Sequence, residues 1–262
     1  MSLAANKALL LLAFSMFTSF SQAKQMSILI IGQSISANCN EYIFGERDGI
    51  YQYDKEGKII KARDPFIWAD CKGGSMWMPL GDKIIKSHIA SSVIFMPIGV
   101  GGTKVSDWLE GGETYKKLEL ALNLIKKKHI KFDYIFWHQG TSDIGTDPAL
   151  YKKNFLRLTK IVKQAIPDNT PWLIARHSMC SGNFDQKIEA IQTDITIGSP
   201  FFHEGPNNNT LDKKYRFDNC HLNKLGQEKM ADMWLESLKN SIKKRTSIER
   251  ETLIHLFRYI QQ

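Results

Sequence analysis

The chain has 262 residues, 43% hydrophobic and 24% charged, enough for one large core and short of what two full domains usually need. Its formal charge of +8 gathers partly in Lys239, Lys243, Lys244 and Arg245, on a helical stretch without the interleaved aromatics that base stacking needs. Composition therefore points away from a nucleic-acid partner and towards one globular domain, whose basic background would draw anionic substrates such as acidic sugars.

At the start, Lys7, the apolar run Ala8 to Phe14 and Ser21-Gln22-Ala23 read as the n-region, h-region and cleavage site of a secretory signal. Residues 1–23 are expected to be removed, leaving 24–262 as a single domain. The apolar run is too short to span a bilayer comfortably, and no later stretch is long and apolar enough to cross one. The mature protein is expected to be free of the membrane, in the periplasm or outside the cell. Four cysteines fit that oxidising setting and can pair in three ways. The favoured arrangement joins Cys39 to Cys71, stapling an insertion, and Cys180 to Cys220, tying two later turns together. No CxxC spacing marks a zinc site.

Ile28-Leu29-Ile30-Ile31 reads as a first buried strand, ending in Gly32-Gln33-Ser34. A long irregular segment follows, about 35–75, with a small hairpin expected around Tyr51 to Ile60. A loop that long is usually functional or locally structured. Leu80 to His88, opened by Pro79, is a predicted helix. Val93 to Met96 is a second strand, running into Gly99-Val100-Gly101-Gly102-Thr103. Tyr115 to Lys128 is a helix with lysines on its outer face. Phe132 to Trp137 is the third strand, delivering His138-Gln139-Gly140-Thr141-Ser142-Asp143.

Pro148 opens a helix through Tyr151 to Ile166, stopped by Pro167-Asp168-Asn169. Trp172 to Ala175 is a fourth strand, ending in Arg176, His177 and Ser178. A helix over Phe184 to Ile195, a fifth strand near Pro200-Phe201-Phe202 and a polar turn at Asn207-Asn208-Asn209 come next. Leu222 to Ile242 is a long amphipathic helix, with a further helix in the tail from Thr246 to Gln262. Alternation of this kind predicts a parallel sheet with helices on both faces, and ligands bind at the carboxyl ends of its strands.

Several polar residues reach those ends. Ser34 follows a glycine turn, where a hydroxyl can serve as a nucleophile or merely cap a helix. Asp218-Asn219-Cys220-His221 offers a carboxylate three residues from an imidazole, a spacing that lets the acid orient a base on a tight loop. Gly101-Gly102 and the Gln139 amide are candidate donors to a developing oxyanion. A dinucleotide-binding use of Gly99-Val100-Gly101 fails because Lys104 stands where the third glycine belongs.

In this order, Gly32-Gln33-Ser34, Gly101-Gly102-Thr103, Trp137-His138-Gln139-Gly140 with Ser142-Asp143, and Asp218 to His221 resemble the sequence blocks of the SGNH-type esterases. The GQS and WHQG forms are similar to the sialate O-acetylesterase and acetylxylan esterase branch, over Ser27 to about Lys239. The resemblance implies a flavodoxin-like three-layer α/β/α sandwich with about five parallel strands, and deacetylation without a metal or other cofactor. It implies Ser34 as nucleophile, His221 as base and then acid, and Asp218 as its orienter. The Ser34 and Gly102 N–H groups with the Gln139 amide would form the oxyanion hole, Gly101 being the alternative donor.

Two positions depart from that branch. Ile35 stands where an Asn commonly follows the serine, and Thr141 where a Glu commonly follows HQG, so a polar contact and a wall carboxylate are missing. Trp108, Arg63, Arg176 and His138 are candidate substrate contacts: Trp108 by stacking on a sugar, the arginines by gripping a sugar carboxylate. Core packing, surface ion pairing and a structural role are the competing readings. His88, His129, His203 and His255 show no metal-ligand spacing. The expected substrate is O-acetylated carbohydrate, sialic acid first and acetylated xylan or another glycan next; a lipid esterase and a catalytically silent glycan-binding protein are the alternatives.

Overall fold

The computed structural model describes residues 25–167 and 169–260, without the side chains of 248–249 and 252–260. The predicted signal segment and Asp168 lie outside the described residues. The first strand, β1 (Met26–Gly32), is buried along its whole length, as a central strand covered on both faces must be. Ile28 and Ile30 enter one hydrophobic core and Leu29 and Ile31 the other, because successive side chains of a strand point to opposite faces.

Around β1 lie β2 (Ile50–Tyr53), β3 (Ile59–Lys61), β4 (Val93–Pro97), β5 (Tyr134–His138), β6 (Trp172–Arg176) and β9 (Phe202–Asn207), in the order β3-β2-β4-β1-β5-β6-β9. All the pairings are parallel except that of β2 with β3. The five strands read from sequence are β1, β4, β5, β6 and β9, and they adopt the flavodoxin-like order 2-1-3-4-5. The two additional strands come from the insertion, whose predicted hairpin pairs Tyr51 with Lys61 and extends the sheet beyond β4. The fifth strand lies slightly later than expected and runs into the asparagine turn.

The first face of the sheet is covered by α1 (Trp77–Lys86) and α5 (Lys224–Ile260), which bury Trp77, Leu80, Met230 and Trp234 against Phe95 and Phe136. Phe136 and Trp234 stack with centroids 4.3 Å apart. The other face carries α2 (Tyr115–Lys128), α3 (Pro148–Val162) and α4 (Gln186–Asp194). In α2 the buried positions are Leu118, Ala121, Leu122 and Ile125, and the lysines fall outside. Pro148 starts α3 under the Asp147 cap, whose carboxylate accepts the Leu150 N–H at 2.9 Å. No proline interrupts the chain after Lys224, and the expected separate tail helix is the continuation of α5 to Ile260.

This order makes β1 the switch point: the chain leaves it to β4 on one side and reaches β5 on the other. The carboxyl ends of β4, β1 and β5 open the crevice where a ligand belongs. A short hairpin, β7 (Met179–Cys180) with β8 (Asn183–Phe184), follows β6.

Candidate active site

Gly32 ends β1 at φ +155°, and a Cβ there would stand 2.2 Å from the His138 carbonyl oxygen. Only glycine admits that approach, which lets the Gln33 N–H donate to the same carbonyl at 3.1 Å. The chain then enters a 3-10 turn, Ser34–Ser36. The buried Gln33 side chain ties this turn to the end of β5: Oε1 accepts from Gly140 N at 2.8 Å and Ser142 N at 3.4 Å, and Nε2 donates to the Thr141 hydroxyl. Gly140 is equally constrained, since its Cβ would meet the His177 carbonyl oxygen at 2.0 Å.

The turn after β4 is fixed from β5. Gln139 Nε2 donates to Thr103 O at 3.0 Å and to Asp143 Oδ2 at 2.6 Å, and the same carboxylate oxygen accepts Val105 N at 2.8 Å. Burial raises the Asp143 pKa, against hydrogen bonds from Val105, Gln139 and Thr146 that favour its ionised form. These anchors leave the Ser34, Gly101 and Gly102 N–H groups bonded to no atom among the described residues. A Cβ on Gly101 would lie 3.9 Å from Ser34 Cβ, so the two strand ends meet.

From the other side comes the loop before α5. Asp218 Oδ2 pairs with His221 Nδ1 at 2.6 Å, while Oδ1 accepts the His221 N–H at 2.6 Å and the Cys220 N–H at 3.0 Å. Partial burial opposes the Asp218 charge, but the His221 side chain and the two backbone donors outweigh it and hold the carboxyl below its usual range. With Asp218 ionised, Nδ1 is the donor, and Nε2 is left as the acceptor that a general base requires. The buried Arg216 braces the loop, donating to the carbonyls of Cys220, Asn208 and Leu211. The Leu222 N–H donates to Asn40 Oδ1 at 3.1 Å, joining the loop to the insertion.

Both favoured disulfides are present, Cys39–Cys71 and Cys180–Cys220. All four cysteines line one cleft of about 620 Å³, together with Ser34, Gly101, Gly102, Ser142 and His221. Ser34 and His221 thus share a cavity, though no hydrogen bond joins them. Thr141 and Ile144 complete the wall beyond β5, and Ser181 and Asn183 the wall formed by the hairpin.

Other predicted contacts lie elsewhere. Gln139 is fully buried and its amide nitrogen is committed to Thr103 and Asp143, so it acts as a brace rather than an oxyanion donor. Trp108 is fully buried, with its indole N–H on the Thr103 hydroxyl, and is core. His138 is fully buried against His177 and Trp234, the structural alternative. Arg63 is exposed away from the cleft, and Arg176 lines a different groove, donating to Gly205 O and facing Glu204 at 3.6 Å. Sequence reasoning assigned no role to Gln33, Asp143, Arg216, Ser181 or Asn183. Only the place of Gln33 and Asp143 inside the motif blocks could have signalled them. Among the described residues no group of three or more His, Cys, Asp or Glu side chains is arranged to hold a metal ion.

No curated protein matches the chain by sequence. Solved structures resemble it in fold. A protein from Arabidopsis thaliana superposes with a TM-score of 0.64 at 17% identity, over 83% of this chain and 99% of that one. NanS gives 0.62 at 13% identity, over 86% and 99%. An acetylxylan esterase from Geobacillus stearothermophilus gives 0.52 at 13% identity, over 83% and 96%. The family model described as "Carbohydrate esterase, sialic acid-specific acetylesterase" matches residues 31–240. The chain therefore belongs to this family of carbohydrate esterases and is a carboxylic ester hydrolase, a carbohydrate acetylesterase.

Proposed function

We propose that the protein is an exported serine esterase that removes O-acetyl groups from sialic acid, with acetylated xylan or another glycan as the next substrate class. The observation that carries this reading is the Asp218–His221 pair, held at 2.6 Å in the cleft that Ser34 also lines. Ser34 Oγ attacks the acetyl carbonyl while His221 Nε2 takes its proton. The Ser34 and Gly102 N–H groups, with Gly101 as the alternative, donate to the developing oxyanion. Collapse breaks the ester bond, and His221 returns the proton to the departing sugar oxygen. Water, deprotonated by His221, then attacks the acetyl-enzyme and releases acetate and Ser34.

Export is supported by the two disulfides, which persist in oxidising compartments. The test is acetate release by the mature, disulfide-intact protein from 9-O-acetylated sialic acid, acetylated xylan and a chromogenic acetate ester. Fastest turnover of the sialic acid ester is expected. Faster turnover of xylan would move the assignment to that glycan, and binding without turnover would replace the enzyme by a glycan-binding protein.

A further inference from the structure

During acyl transfer the departing sugar oxygen must come within about 3 Å of the imidazole that protonates it. His221 Nδ1 is occupied by Asp218, so the sugar approaches Nε2. The acetyl group points the other way, towards the Gly101–Gly102 turn. The sugar ring therefore lies over whatever flanks His221 at the mouth of the cleft.

Two features adjoin His221: Phe217, in ring contact with the imidazole though outside the residues that line the cleft, and the β7–β8 hairpin, which does line it. The first is Phe217, 48% exposed, whose ring lies 6.1 Å from the imidazole at an interplanar angle of 30°. Its backbone N–H donates to His221 O at 3.1 Å, which fixes it to the loop. An exposed apolar ring is ordinary by itself; this one is in ring contact with the side chain that handles the leaving group. The second is the β7–β8 hairpin, where exposed Asn183 lines the cleft with a side-chain amide bonded to no atom among the described residues. The Cys180–Cys220 disulfide and the Ser181 N–H to Asn219 O bond at 3.1 Å join this hairpin to the His221 loop.

We infer that Phe217 and Asn183 form the binding subsite for the leaving sugar: the phenyl face receives the C–H face of the pyranose, and the amide exchanges hydrogen bonds with a ring hydroxyl. This inference rests on the esterase reading above and deepens it. The subsite selects for a sugar ring rather than for the acetyl group, which every substrate shares. Its energy is realised on esters of cyclic sugars and forfeited on small acyclic esters.

The experiment compares kcat/KM for 9-O-acetylated sialic acid with that for ethyl acetate in wild type, Phe217→Ala, Asn183→Ala and Phe217→Trp. The ratio of the two is expected to fall about two- to tenfold in Phe217→Ala, mainly through KM, as loss of one stacking contact implies. It should fall similarly in Asn183→Ala and recover in Phe217→Trp. An unchanged ratio in both alanine variants overturns the subsite, including the case in which both esters slow equally because Phe217 merely supports His221. No acetate release from either ester by folded wild type overturns the esterase reading and the subsite together, whereas release with an unchanged ratio overturns the subsite alone.

Discussion

Acidification should destabilise this fold through two buried histidines. His138 and His177 are fully buried, in edge-to-face contact at 4.8 Å, and neither ring has a hydrogen-bond partner among the described residues. Burial depresses both, His138 to about 3 with the nearby Arg216 charge adding to the effect. His177 lies well below its usual value through burial and then the charges of His138, Arg216 and His221. A histidine depressed in the folded state binds fewer protons there than in the unfolded chain, so its stabilisation is intact above about pH 6.5 and lost as pH falls. At about pH 5 keeping His138 uncharged costs roughly 2 kcal/mol, and His177 adds to the loss in the same direction.

Asp64 opposes this. Burial raises its carboxyl to about 6 despite hydrogen bonds from Phe44 and Ser75, so the folded state gains a proton first and recovers roughly 1 kcal/mol by about pH 5. A net loss of stability is predicted between about pH 7 and about pH 5, with roughly 2 kcal/mol lost at His138 against roughly 1 kcal/mol recovered at Asp64, read by urea unfolding with the disulfides intact. In His138→Phe the loss should be roughly 2 kcal/mol smaller, because one titration is removed. An identical pH dependence in wild type and variant would refute the reasoning, since it would mean that His138 titrates alike in both states.

Asp218→Asn should leave the fold intact and lower kcat by roughly a thousandfold or more, because the amide no longer holds the imidazole in its working tautomer; steady-state kinetics beside a thermal melt check this. Replacing Cys180 and Cys220 together by serine, at a sequence separation of 40, should cost on the order of 4 kcal/mol in unfolding free energy. It should also lower activity by freeing the hairpin from the His221 loop, so retained activity in the folded double variant would contradict that bracing role. Gln33→Leu strips the Gly140 N–H of its acceptor and Thr141 of its partner. A loss of about 1–3 kcal/mol in chemical denaturation is expected, with a lower kcat as Ser34 loses its tie to β5.

The parts of the fold legible in the sequence were those governed by local pattern. Apolar runs ending in glycine marked β1, β4 and β5, and because a parallel sheet aligns its carboxyl ends, the motif blocks could be brought to one cleft from the sequence alone. The Asp218–His221 pair was legible because three residues on a tight loop bring the two groups together, and both disulfides follow the favoured pairing. What escaped was direction. Gln139 and Trp108 lie close in sequence to residues that line the cleft, yet the first is consumed by Asp143 and Thr103 and the second by the core; neither partner is announced by spacing. Arg176 was misassigned for the same reason, since its position at the end of β6 does not reveal that Gly205 and Glu204 of the adjacent β9 take its guanidinium. Nothing in the sequence sets Arg216 apart from the other cations, and only the closed loop shows it buried among three carbonyls.

The most direct measurement is acetate release from 9-O-acetylated sialic acid by wild type and by Ser34→Ala, each verified as folded and disulfide-bonded. Turnover that disappears in Ser34→Ala, with sugar binding retained, is the predicted result. Undiminished release by Ser34→Ala would contradict the assignment of Ser34 as nucleophile and require a different attacking group in the cleft.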